Sequence, residues 1–326
     1  MKKIPPLVQN LIKFLIGAGA IWLLIRSGAL DPKLIGHAIT SHPFLCLFAF
    51  LTYGILVVVP GWLRWFLLIR QTGLHAPVGR IFSLAMIGIF FNSLIPGGTG
   101  GDLIKGFYLY REHEDKDKTM ALTSIAMDRF VGLYALLVVA MVMMLINTHL
   151  WIHSKQLAAN SFFYAGIFLS FTAAIVFYFS PYSDRWLQHP KWFKLPGGKF
   201  FKTLFDTLLV YRKNPLNLLY ALALGMVVDL GLILLYYFCA LALDVKLSFA
   251  VHGFVVPTLT MINGIPISPS GVGVGEVAGD FIYNRLGVSQ GGEILALVHI
   301  CVLLMSLFGA PFYFFYRVKP VQKISE

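Results

Sequence analysis

Long apolar runs separated by short polar turns recur along this chain of 326 residues and set its plan. A helix needs about 20 mostly apolar residues to cross roughly 30 Å of hydrocarbon. Six runs meet that need: Leu7 to Ile25, Phe44 to Leu68, Ala121 to Ile146, Phe162 to Phe179, Leu216 to Leu243 and Ile294 to Tyr316. The second carries Pro60-Gly61, which predicts a break. The last ends in Phe-Tyr-Phe-Phe-Tyr, the pattern of an interfacial aromatic belt.

Two further apolar runs behave differently. Ile81 to Ile95 meets Pro96-Gly97-Gly98-Thr99-Gly100-Gly101-Asp102, and Ser248 to Ile265 meets Pro266-Ile267-Ser268-Pro269-Ser270-Gly271-Val272-Gly273-Val274-Gly275-Glu276. At 1.5 Å per residue the first reaches only about 22 Å, short of a crossing. Each pattern predicts a helix that breaks at a Pro/Gly loop and resumes as a short amphipathic piece, Leu103 to Arg111 and Val277 to Leu286. Broken backbone at membrane depth needs protein or a water-filled cavity around it.

Composition agrees with the pattern. Apolar residues make up 58% of the chain and charged residues 13%, against about 25% charged in a typical soluble domain. The chain is an integral membrane protein. Its net charge of +11 is scattered in short loops and forms no basic arm or face, which argues against nucleic acid as a partner. Cys46, Cys239 and Cys301 are isolated in apolar stretches and read as small buried hydrophobes. Leu7 to Ile25 ends in Leu-Leu-Ile-Arg without a small-residue cleavage site, so no cleavable signal peptide is expected.

The basic residues also orient the chain. Pro181 to Pro215 carries Arg185, Lys191, Lys194, Lys199, Lys202, Arg212 and Lys213 and reads as cytoplasmic. Arg70 and Arg80 before the first broken run, and Lys105, Arg111, Lys116 and Lys118 after it, all favour that side. A re-entrant hairpin at 81–111 lets both groups stay there. A second hairpin at 248–286, entered from outside, lets Arg317, Lys319 and Lys323 return to the cytoplasm.

The expected architecture is all-α and polytopic, with about six spans and two re-entrant hairpins. They form an inverted-topology repeat, 1–150 and 151–326, within one membrane domain. Both termini are expected to be cytoplasmic. Eight full spans is the alternative. Asn92 before the first loop and Asn263 before the second are echoes of that repeat. Paired broken helices in two halves are the best sequence pointer to a transport site.

The candidate binding residues lie in and around those loops. Gly97, Gly98, Gly100 and Gly101 after Pro96 free the backbone to present N–H groups to a ligand. The helix beginning near Asp102 adds its positive end, and Lys105 adds a charge one turn on, so the loop reads as a phosphate cradle. Pro269, Gly271, Gly273, Gly275 and Glu276 repeat the design. The plainer reading is that the glycines allow close helix packing and each acid caps its helix.

Asp229 sits mid-span, where a carboxylate costs about 2.5–3.5 kcal/mol, so it reads as a proton-coupling group or as the partner of a buried arginine. Asp128 and Arg129 are adjacent and point in different directions on a helix, so they are not one simple pair. Arg129 either meets an anionic head group with Arg64 opposite, or both arginines anchor at the interface. His149 and His153 have i, i+4 spacing without a third ligand and read as an interfacial loop. No common catalytic, cofactor or metal motif appears, so no cofactor and no metal are expected.

Ser93-Leu94-Ile95-Pro96-Gly97-Gly98-Thr99-Gly100-Gly101-Asp102, Met127-Asp128-Arg129-Phe130-Val131-Gly132-Leu133 and Pro269 to Glu276 resemble the lysylphosphatidylglycerol synthase transmembrane-region family. That family includes the flippase half of the multiple peptide resistance factor. Ser268 and Ser270 depart from the family's usual second loop, which is richer in glycine.

The resemblance implies a bacterial inner-membrane protein that handles lipids in a cavity between the hairpins. The sequence ends at Glu326 without the soluble acyltransferase-like domain of the synthase, so aminoacyl transfer is not expected. The leading expectation is a flippase that moves a phospholipid or modified lipid between leaflets. The alternative is lipid modification, linked to hopanoid, aminoacyl-lipid or glycosyl transfer. In that case Asp102 and Glu276 meet as acid and base, or the chain serves a separate lipid-modifying enzyme. Expected partners are anionic membrane lipids, with a homodimer or a separate enzyme as protein partners.

Overall fold

A computed structural model of the chain describes residues 32–74, 76–93, 95, 100–112, 115–152, 155–183, 208–265, 271–272 and 274–316. Leu7 to Ile25, most of the basic loop, Arg317, Lys319, Lys323 and His153 lie outside the described residues, as do Pro96, Gly97, Gly98, Pro269 and Gly273. Every described element is a helix: α1 (Pro32–Ser41), α2 (Pro43–Gln71), α3 (Val78–Asn92), α4 (Gly100–Arg111), α5 (Asp115–Ile146), α6 (Thr148–Ile152), α7 (Lys155–Phe179), α8 (Pro215–Ala242), α9 (Phe249–Asn263), α10 (Val274–Asn284), α11 (Gly291–Leu307) and α12 (Ala310–Phe315).

Five stretches are long and apolar enough to span: Pro43–Gln71, Thr119–Ile146, Ser161–Phe179, Pro215–Ala242 and Gly291–Phe315. Their outward faces are apolar. Phe162, Leu169 and Val176 on α7 are each more than 60% exposed, a surface suited to lipid and costly in water. The chain is an all-α, multi-pass membrane protein.

The expected break at Pro60-Gly61 is absent. α2 continues through it because a π-helical turn at Tyr53–Val58 absorbs the proline, with the Val59 N–H bonding back to the Gly54 carbonyl five residues earlier. Pro60 has no N–H to offer the Leu56 carbonyl. Gly231 of α8 packs there, where a Cβ would stand 3.0 Å from that oxygen. α2 and α8 run antiparallel, since Leu56 meets Gly231 while Arg64 meets Gly225.

α3 and α4 form an antiparallel hairpin. Asn92 Oδ1 accepts the Gly101 N–H at 2.8 Å near the tip, and Arg80 donates to Glu112 at the base. Tyr316, past the end of α12, donates to the same Glu112 at 2.7 Å, so the last span closes on the hairpin's base. α9 and α10 repeat this design. Asn263 lies against Gly271 and Gly275 near the tip, and His252 Nδ1 meets Tyr283 Oη at 2.8 Å near the base.

α3 and α9 have 15 residues each and both end in asparagine. Leu103, Phe107 and Arg111 on α4 recur at constant offset as Val277 and Phe281 on α10 and Arg285 just past its end.

The two hairpins open toward opposite ends of the molecule. Gln71 bonds the Asn214 carbonyl at 2.8 Å at the end that holds Arg80, Glu112 and Tyr316. His42 and Asp244 meet at 3.3 Å, and Asn147 bonds the Ala250 carbonyl at 2.8 Å, at the other end, where α9 begins.

Glycine permits the closest contacts. A Cβ on Gly101 would lie 1.7 Å from the Gly88 carbonyl oxygen, and one on Gly291 would lie 2.4 Å from that of Gly279. Gly101→Ala and Gly291→Ala are therefore expected to destabilise the purified protein by at least about 1–3 kcal/mol, as overpacking does. Gly79→Ala, in open space, serves as the control. Thermal unfolding in detergent checks this, with a lower midpoint for the first two variants and an unchanged or higher one for the third.

Candidate functional site

The first hairpin brings three cations and three carboxylates together from four helices. Arg64 comes from α2, Asp102 and Lys105 from α4, Asp128 and Arg129 from α5, and Asp229 from α8. A stretch of small residues admits them. Gly132 of α5 and Gly225 of α8 flank the Arg64 guanidinium, where a Cβ would lie 2.9 Å and 3.4 Å from Nη1. A side chain at either position would crowd the guanidinium between the two spans.

The wiring is specific. Arg64 Nε donates to Asp128 Oδ1 at 2.8 Å. Lys105 Nζ stands 2.7 Å from Asp102 Oδ1 and 3.9 Å from Asp128 Oδ2, linking the two carboxylates. It also lies 4.4 Å from the centre of the Trp65 ring, a cation–π contact. Arg129 Nε donates to Asp102 Oδ2. Neighbouring Asp128 and Arg129 thus serve different partners, one on α2 and one on α4. Gly132, three residues on, makes room for the Arg64 that Asp128 holds.

Exposure divides the cluster. The Asp102, Lys105 and Asp128 side chains are at most 10% exposed, whereas that of Arg129 is 49% exposed. Arg64 lies against Asp128 rather than opposite Arg129, and the Asp229 carboxyl is also near it. Asp229 Oδ2 is buried and has no hydrogen-bond partner among the described residues.

The second hairpin holds a smaller group. Gly271 has φ +80, a left-handed turn that brings the chain over Asn263. Glu276, in the first turn of α10, meets His299 of α11 with Oε1 2.8 Å from Nδ1. The Tyr236 hydroxyl hydrogen-bonds to the Asn263 side chain. Among the described residues, no group of three His, Cys, Asp or Glu is placed to hold a metal ion.

Of the residues expected from sequence, Arg64, Asn92, Gly101, Asp102, Lys105, Asp128, Arg129 and Asp229 gather around the first hairpin. Gly100 packs on Ile95 at its tip. Asn263, Gly271, Gly275 and Glu276 gather around the second. Trp65, His299 and the Arg80–Glu112–Tyr316 base were not foreseen. His299 carried a readable signal, since an ionisable side chain inside an apolar span marks function by default. Trp65 carried none, because a tryptophan in a span looks like any other core residue.

Removing one member of a buried pair leaves a charge without compensation, at a cost of about 3–5 kcal/mol. Asp128→Asn is expected to destabilise the protein to that extent. Arg129→Gln, at a half-exposed site, is expected to cost about 1 kcal/mol or less. Unfolding of the purified variants in detergent checks the contrast.

No curated protein sequence and no solved structure matches the chain. One family model does, that of the lysylphosphatidylglycerol synthase TM region, over residues 10–310. The matched region contains the Asp128-Arg129-Gly132 arrangement and both hairpins. The chain belongs to the lysylphosphatidylglycerol synthase TM region family, membrane proteins linked to lipid modification or transport.

Proposed function

We propose that the chain binds the phosphate-bearing head group of an anionic lipid at the Arg129 edge of the first hairpin and carries it between leaflets. The observation behind this reading is the half-exposed Arg129 on an otherwise buried charge network. Buried ion pairs are weak stabilisers, and apolar replacements of similar size often do as well. A cluster of three cations and three carboxyl groups among apolar spans is therefore better explained by a ligand than by folding. A phosphate entering beside Arg129 shares its guanidinium with Asp102, while Lys105 holds the other Asp102 oxygen.

The two hairpins, opening at opposite ends, support an inverted repeat of residues 1–150 and 151–326. Each hairpin enters and leaves the membrane on its own side, the first on the cytoplasmic face of a bacterial inner membrane. Acyl tails stay in the bilayer, so only the head group needs a polar path. An acid–base pairing of Asp102 with Glu276 is less favoured, because Lys105 and Arg129 engage one and His299 engages the other.

Proteoliposomes carrying a fluorescent anionic phospholipid test this reading. The full chain is expected to speed exchange between leaflets, and Arg129→Gln to slow it by about tenfold or more, the loss of one charge-assisted contact. A zwitterionic analogue should move more slowly than the anionic one. Equal rates with and without protein for every anionic lipid tried would overturn the proposal.

A further inference from the structure

The two hairpins carry corresponding constellations that differ in the residue holding the first-turn acid. In the first, an asparagine at the end of the entering helix is satisfied by a backbone donor, Gly101 N–H to Asn92 Oδ1. The first-turn acid, Asp102, is held by Arg129 of the following span. In the second, Asn263 ends the entering helix, and the first-turn acid, Glu276, is held by His299 of the following span. Arginine stays charged at any physiological pH, whereas histidine changes charge between about pH 5 and 8.

The second constellation also lacks a donor. The His299 side chain is 6% exposed, and its Nε2 is buried with no hydrogen-bond partner among the described residues. Asn263 Oδ1 is in the same condition. Both border Gly275, where a Cβ would lie 2.5 Å from Asn263 Oδ1 and 3.1 Å from His299 Cε1, the carbon between Nδ1 and Nε2. A neutral imidazole that donates Nδ1–H to Glu276 presents a lone pair at Nε2. Two buried acceptors then share one region without a proton between them. Protonation turns Nε2 into a donor and leaves the Glu276–His299 pair as a carboxylate–imidazolium bridge.

We infer that Glu276 and His299 form a proton-binding site in the second hairpin. The bound proton completes the clamp that Arg129 completes permanently in the first. α10 places Glu276 at the site, α8 places Tyr236 and α9 places Asn263, while the bonded His252 and Tyr283 stand farther along at the hairpin's base. Tyr53 of α2 and Cys301 of α11 lie near each other. None of these facing groups is a lysine or arginine, so the added charge meets one carboxylate and no competing cation among them. The site rests on these residues alone and does not depend on the lipid reading.

The full chain labelled with ¹⁵N-histidine in lipid nanodiscs tests the inference, with its ring nitrogens followed by NMR from about pH 5 to 8. Nine histidines contribute, and His299→Gln identifies the signal by difference. The expected result is a His299 signal that passes from neutral to imidazolium in that range. That change should be lost or markedly weakened in Glu276→Gln and kept in Glu276→Asp. Asn263→Ala, which keeps the carboxylate, should alter it as well and serves if Glu276→Gln does not fold. A His299 ring that stays neutral throughout, or a response unchanged by both variants, would overturn the inference.

Discussion

The contact between Gly101 and Gly88 is the constraint on which the rest of the first half depends. A methyl group on Gly101 would overlap the Gly88 carbonyl oxygen, so α4 folds back along α3 only because neither residue has a side chain. That approach lets Asn92 cap the Gly101 N–H, which is one of the orphan donors at the start of a helix. It also sets Asp102 and Lys105 on the side of α4 that faces Trp65 and α5. The charge cluster is thus a consequence of backbone packing, assembled where lipid-facing spans would otherwise offer no polar partner.

The cluster in turn orders the helices around it. Arg64 ties α2 to α5 through Asp128, and it fits only because Gly132 and Gly225 leave room. Arg129 ties α5 to α4. The order of exposure follows: charges needed for assembly are buried, and the outermost one is half open to its surroundings. The second half packs as closely elsewhere, Gly279 of α10 on Gly291 of α11, and puts an imidazole where the first half has a guanidinium. One half therefore carries a guanidinium clamp and the other an imidazole one.

Much of this was legible in the sequence because membrane spans and glycine loops leave strong local signals. The five described spans start and end close to the apolar runs that predicted them, since hydrocarbon thickness fixes length. The broken helices were visible from Pro and Gly. Pro60 misled, because a proline predicts a break while a π-helical turn elsewhere in the helix can absorb it. Partnerships were not legible. That Asp128 serves Arg64 while Arg129 serves Asp102 depends on how four helices cross, and so does the seat of Lys105 on Trp65. His299 was readable as an ionisable residue in a span, but its pairing with Glu276 was not.

The central claim is that the half-exposed edge of the cluster receives a lipid phosphate. An experimental structure of the full chain in nanodiscs of anionic phospholipid tests it most directly. The account predicts head-group density against the Arg129 guanidinium, with Asp102 still bridged by Lys105. Head-group density confined to other surfaces, with Arg129 enclosed by protein, would contradict it.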